Sequence, residues 1–293
     1  MNIENLIAQI TDSIQQRLGS KCNVSTTKVT KNNGIVLNGL VFQKEGTHIC
    51  PTIYIDDFLE SLALGVSMET VIQEILELYQ ESDMQENIDV SNLAEFQNVK
   101  SRIIFQLIST ERNTSLLSEI PSVPFLDFSI IFKILIDSSA ESTATLTIGH
   151  TLMEIWNIGT EELYEAAKMN TPALMPCELK SMSEIFADFD KIPVQDNFCR
   201  MFALANKQHV NGCGCILYPH VLETFAQSIR SDLFILPSSV HEVILVPSIE
   251  EADAEALAEI VRSVNECELS QEDFLSDHVY HYSRKTKSIT IAK

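Results

Sequence analysis

The sequence predicts an α+β protein of mostly antiparallel sheets with flanking helices, arranged as two units. Three observations predict it. An amphipathic helix opens the chain and a Val- and Thr-rich stretch follows; apolar runs in the last third pair locally, with helices between hairpins; and no glycine-rich turn joins a strand to a helix, as doubly wound nucleotide folds require. Only nine glycines occur in 293 residues, none in a Gly-x-Gly-x-x-Gly or Gly-Lys-Ser/Thr setting.

In the first unit, Ile3, Leu6, Ile7, Ile10, Ile14 and Leu18 fall on one helical face, and Gly19 is a natural stop. Cys22 to Thr30 reads as a strand, "KNNG" as a turn, and "IVLNGLVFQ" and "HICPTIYID" as two further strands of a meander. Helix returns with Val71, Ile72, Ile75, Leu76 and Tyr79 at spacings of three and four. The polar stretch "QESDMQENIDVSN" is the expected linker, which sets the units at 1–90 and 91–293.

Beyond it, "SRIIFQLIS" reads as a strand, "TERNTSLLSEI" as a short helix and "PSVP" as a break before the strand "FSIIFKILI". "DSSAEST" is a hairpin loop to "ATLTI". The helices "HTLMEIWN" and "TEELYEAAKMN" follow, and Pro172 and Pro176 are expected to close the second. Then come a strand from Phe198 to Asn206, a turn at Asn211 and Gly212, a strand from Cys213 to Tyr218 and a helix from His220 to Ile229. "DLFILPSSVHEVILVP" sets two apolar runs around a polar corner. A helix from about 250 to 265 starts with Ser248 and Glu251 at capping-box spacing and is expected to bury Leu257, Ile260, Val261 and Val264. Short strands near "HVYHY" and "SITIA" end the pattern, so the region from 198 reads ββαββαββ.

Composition limits the function classes. The net charge of −21 opposes direct binding to nucleic acid or an anionic membrane surface. Acids concentrate on helical stretches: residues 51 to 100 hold eleven against Lys100 alone, and residues 250 to 277 hold ten against Arg262 alone. Such faces serve solubility or a basic protein partner. The longest apolar run, Phe128 to Ile136, is far shorter than the roughly 20 residues that cross a bilayer. An acid at Glu4, where a secretory signal carries basic residues, and seven scattered cysteines lead to the expectation of a cytoplasmic protein with reduced thiols.

Three stretches hold candidate chemistry. In the corner at 237–242, Ser239 and His241 share a strand face and make a possible nucleophile and base, with Glu242 on the opposite face. No Gly-x-Ser-x-Gly elbow is present, and the competing reading is a hairpin turn whose hydroxyls satisfy nearby main chain. In "HVNGCGCILYPH", His209, Cys213, Cys215 and His220 have loosely metal-like spacing. A two-residue turn would pair Val210 with Cys213 and Gln208 with Cys215, leaving His209 opposite, so the candidate metal ligands reduce to Cys213 and Cys215. In "DHVYHY", His278, Tyr280 and Tyr282 share a face and His281 opposes them. No cofactor is expected.

The segments "TERNTSLLSEIPSVPFLDFSIIFKIL", "GCGCILYPHVLETFAQSI", "DLFILPSSVHEVILVP" and "VNECELSQEDFLSDHVYHY" resemble a domain family of unknown function from anaerobic Firmicutes, often carried on mobile elements. "LMEIWNIGTEELYEAAKMNTP" resembles, more distantly, a second uncharacterised bacterial family with a Trp before a helix ending in Ala-x-x-Asn, here Ala167 and Asn170. Neither resemblance implies an activity. The first implies small residues at the positions of Cys213 and Cys215, and makes Pro237, Ser238, Ser239, His241 and Glu242 a family signature. The expectation from sequence is a non-enzymatic binding or regulatory protein, with a hydrolase or transferase at Ser239 and His241 as the alternative.

Overall fold

The computed structural model describes residues 2–44, 50–84, 93–138, 143–187, 201–248 and 253–292. The chain separates into two compact units, Met1–Leu93 and Ala94–Lys293.

In the first unit, helix α1 (Ile3–Leu18) starts at Asn2, whose side chain accepts the Glu4 amide, and stops at Gly19 with φ of 65°. It lies on a three-stranded antiparallel sheet of β1 (Cys22–Thr30), β2 (Val36–Lys44) and β3 (Thr52–Tyr54). Helices α2 (Asp56–Ala63) and α3 (Met68–Met84) complete the unit. Ile10, Ile14, Leu40, Phe42, Ile75 and Tyr79 form its core, with the Phe42 and Tyr79 rings stacked at 4.4 Å. Helix α3 runs into the expected linker as far as Met84; the rest of that stretch, 85–92, lies outside the described residues.

The second unit opens with the single turn α4 (Phe96–Val99) and strand β4 (Ile103–Ser109), buried along its whole length. The expected helix at 110–120 shrinks to a 3-10 turn and α5 (Thr114–Leu117). Strand β5 (Ser122–Phe125) occupies the expected "PSVP" break, because Pro124 sits on an edge strand, where no ladder needs its missing N–H. It pairs with β6 (Phe128–Ser138), which also pairs with β4 and with β7 (Thr143–Thr147). Helices α6 (His150–Trp156) and α7 (Thr160–Leu174) follow. Helix α7 passes through Pro172 and closes at Leu174, ahead of Pro176; neighbouring Thr171 is bonded to Ala167 O at 2.6 Å and to the Phe105 amide at 3.0 Å, which ties this turn to β4.

Strand β8 (Cys177–Ser181), unforeseen in the sequence, is followed by α8 (Met182–Ala187) and β9 (Phe202–Asn206). The expected start of β9, at 198–200, lies outside the described residues. Residues Gly212–Leu217 form a 3-10 helix and not a strand, so the pairing of Val210 with Cys213 and Gln208 with Cys215 does not exist. His209 and Asn211 both take positive φ (52° and 53°), which winds the chain inward. Then come α9 (Val221–Ile229), β10 (Leu233–Pro237), β11 (Glu242–Pro247), α10 (Ala254–Cys267), β12 (Tyr280–Ser283) and β13 (Ser288–Ile291). The six-stranded sheet has the order β13-β12-β10-β11-β9-β8, with every ladder antiparallel.

Helix α10 is capped by Asp253, whose side chain accepts the Glu255 amide, and not by Ser248 with Glu251. Its buried stripe is also narrower than expected: Val261 is buried and Leu257 packs beside it, but Ile260 and Val264 are 52% and 42% exposed. Among the described residues no helix is long and apolar enough to cross a membrane. The architecture among the described residues is α+β with three antiparallel sheets.

Candidate functional site

The polar corner between β10 and β11 is a knot of main-chain bonds. The Ser239 amide donates to Glu242 O at 3.2 Å, and the His241 amide donates to Ser239 Oγ at 3.0 Å, a Ser turn that shapes the loop. Val240 is held on both sides, by its amide to Asp273 O at 2.8 Å and by its carbonyl from the Cys213 amide at 3.2 Å. The His241 ring is engaged at both nitrogens: Nδ1 accepts the Asn211 amide at 3.2 Å, so the proton of the neutral ring sits on Nε2 and is donated to Asp273 Oδ1 at 3.0 Å. Ser238 Oγ reaches Glu242 Oε1 at 3.4 Å. Gly212 packs so closely under this loop that a Cβ would stand 2.4 Å from His241 O and 2.6 Å from Asn206 N. Ser239 and His241 are therefore neighbours joined through main chain, with the ring turned to Asn211 and Asp273 and not to the Ser239 hydroxyl.

Cys213 and Cys215 lie inside the unit on the 3-10 helix, both fully buried. Burial pushes the Cys213 thiol far up and the Cys215 thiol up to about 12, so both stay protonated and poor as ligands or nucleophiles. Next to them the Tyr218 hydroxyl donates to Met175 O at 2.9 Å. The flanking histidines go elsewhere: His209 sits 3.7 Å from Glu178 and His220 3.3 Å from Glu223. Among the described residues no group of three or more His, Cys, Asp or Glu is placed to hold a metal ion.

A second polar cluster forms where β12 meets the turn between β5 and β6. Leu126, at φ of 56°, tightens that turn and presents Asp127. Its carboxylate accepts from Ser276 Oγ at 2.8 Å and from His278 Nδ1 at 3.0 Å; Tyr280 Oη lies 2.7 and 2.9 Å from its two oxygens and 2.8 Å from Ser276 Oγ. Burial raises the Asp127 pKa, but the bonds from His278, Tyr280 and Ser276 outweigh it and hold the carboxyl below its ordinary value. Burial drives the Tyr280 phenol strongly upward, so it remains a donor. Because Asp127 fixes the His278 proton on Nδ1, Nε2 is left as a lone-pair site without a protein partner among the described residues, on a side chain 57% exposed.

The shared face of His278 and Tyr280 was readable in "DHVYHY"; their partners Asp127 and Ser276 were missed. Asp127 lies 151 residues from His278, and only its place between two apolar runs marks it as a turn residue.

An acidic groove runs along α7. Glu161, Glu162, Glu165 and Met169 face Gln97 and Lys100 across it, and Met169 is 73% exposed. Asn170 fixes its floor by donating to Lys100 O at 2.7 Å and Ile103 O at 3.1 Å.

Residues 3–284 match a family described as "Family of unknown function (DUF5688)". No curated protein and no solved structure matches the chain.

Proposed function

The chain belongs to that family of unknown function, DUF5688, and from its own side chains we propose that it is a non-enzymatic binding or regulatory protein of the cytoplasm that takes a basic protein partner on its acidic helices. The observation that carries this reading is the α7 groove, where three glutamates flank an exposed methionine in a chain of net charge −21. Carboxylates supply long-range attraction and the methionine an adaptable apolar contact. Carriage on mobile elements, implied by the resemblance to sequences of anaerobic Firmicutes, suits a small regulatory factor. The test is capture from a lysate of the source cells with wild-type chain and with a Glu161→Lys, Glu165→Lys variant. A stoichiometric basic protein held by the first and lost by the second supports the reading; equal retention, or none, sinks it.

A hydrolase or transferase is the second reading, and one observation favours it: the outward Nε2 of His278 with Asp127 behind it suits a general base. Ser239 and His241 give it less support, since both ring nitrogens of His241 are committed. Model ester and phosphoester substrates, offered to wild type and His278→Gln, decide the matter. Turnover lost in a variant of unchanged melting temperature supports an enzyme, and the absence of turnover in wild type counts against it.

A further inference from the structure

The six-stranded sheet has two edges, and they are built differently. Edge strand β8 carries Glu178 and Lys180, paired at 2.8 Å, with His209 beside them. Charges of this kind deter another strand from pairing. The opposite edge, β13, reads Ser-Ile-Thr-Ile, with no charge and no proline, and exposes Ser288, Thr290 and Ile291.

The ladder parity shows which groups line that free edge. The Ala292 amide donates to Val279 O at 2.8 Å, so residues 279 and 292 form a hydrogen-bonded pair. Alternation along an antiparallel ladder then makes His281 with Thr290, and Ser283 with Ser288, the bonded pairs. Ile289 and Ile291 consequently turn their N–H and C=O away from β12, where no protein group meets them among the described residues. Leading into β13 is an exposed turn, Arg284, Lys285, Thr286 and Lys287. Lys287 pairs with Glu223, and the Arg284 amide is capped by Asp232 at 3.0 Å, but the charged ends of Arg284 and Lys285 meet no carboxylate among the described residues. A basic tip beside an uncharged open edge is the local reverse of a chain with net charge −21.

We infer that β13 accepts an extended acidic segment of a partner protein by strand addition. The main-chain groups of Ile289 and Ile291 extend the ladder by one strand, and Arg284 and Lys285 bind carboxylates at the end of that segment. This surface is separate from the α7 groove and does not rest on the reading given for it.

The test uses the full chain and a synthetic peptide with a Thr-Val-Thr-Val core and three glutamates at one end. Hydrogen exchange resolved by residue is the readout. With peptide bound, exchange at the Ile289 and Ile291 amides slows about tenfold or more, while Ser288 and Thr290, already in the ladder, change little. Arg284→Glu with Lys285→Glu weakens the peptide about tenfold, as does replacing its glutamates with lysines. Ile291→Pro removes an outward N–H without touching the β12 ladder and also weakens it; both variants are first checked for an unchanged melting temperature. Unaltered exchange at Ile289 and Ile291 overturns the inference. So does equal binding of the lysine peptide, or protection that grows with protein concentration in the absence of peptide, which would assign the edge to a second copy of the chain.

Discussion

Replacing Asp127 with Ala removes the acceptor shared by Ser276, His278 and Tyr280, and its cost can be worked out group by group. His278 is largely exposed and turns to water, so its share is small. Ser276 and Tyr280 are buried, and each bonds a carboxylate, a contact of about 1.5–3 kcal/mol. Tyr280 keeps Ser276 Oγ as a second acceptor and loses part of its bond; Ser276 is left with the long 3.5 Å contact to His278 Nδ1 in place of its carboxylate. The expected loss is about 3 kcal/mol, most of it from the Ser276 hydroxyl, which exchanges a charged acceptor for a long contact. Urea unfolding followed by fluorescence measures it, because the only tryptophan, Trp156, is buried in the second unit, which also holds Asp127. The midpoint should fall by about 1 M with an unchanged slope. The pH dependence supplies a further check. Asp127 is held below its ordinary 3.8 in the fold, so its contribution is present above the unfolded value and is lost as pH falls through the folded one. The gap between wild type and variant should therefore hold from neutral pH to about pH 5 and close below the folded pKa. A loss under about 0.5 kcal/mol, or a gap independent of pH, would refute the view of Asp127 as an ionised, half-buried junction.

Gly212→Ala should destabilise the second unit by about 2 kcal/mol or more in the same unfolding assay, since its Cβ would meet backbone atoms of His241 and Asn206 that no side-chain rotation can clear. Thr171→Val should cost about 1–3 kcal/mol by leaving the Phe105 amide without its acceptor, read as a shift of the Trp156 transition. In the native protein a thiol reagent should modify exposed Cys267 quickly while Cys213 and Cys215 react only after unfolding, as mass spectrometry of digested samples would show.

Sequence patterning was informative wherever one element obeys one rule. The α1 stripe, the β1–β2 meander and the paired runs at 233–247 are regular because burial on one face dictates their period. It was misleading where a local rule met a particular surrounding. Pro172 is expected to end α7, but the helix runs two residues past it to Leu174, in a turn that Thr171 ties to Ala167 O and to the Phe105 amide. The stretch at 212–217 has strand-like residues, yet positive φ at Asn211 and the squeeze on Gly212 wind it into a 3-10 helix. Ile260 and Val264 were expected in the core, but β10 and β11 cover only the Val261 side of α10. Ser239 and His241 were drawn together by sequence adjacency, whereas the partners that define their chemistry, Asn211 and Asp273, lie about 30 positions away on either side.

The Asp127 cluster also bears on how the second unit folds. Its bonds to Ser276, His278 and Tyr280 span 149, 151 and 153 residues, among the costliest loops this unit can close. Contacts of such sequence separation belong late in folding, after the hairpins β5–β6 and β12–β13 have formed from local pairs. Weakening the cluster should then leave the refolding rate nearly unchanged and speed unfolding. Asp127 thus acts as a latch on the native state, setting how long the unit stays folded more than how quickly it gets there.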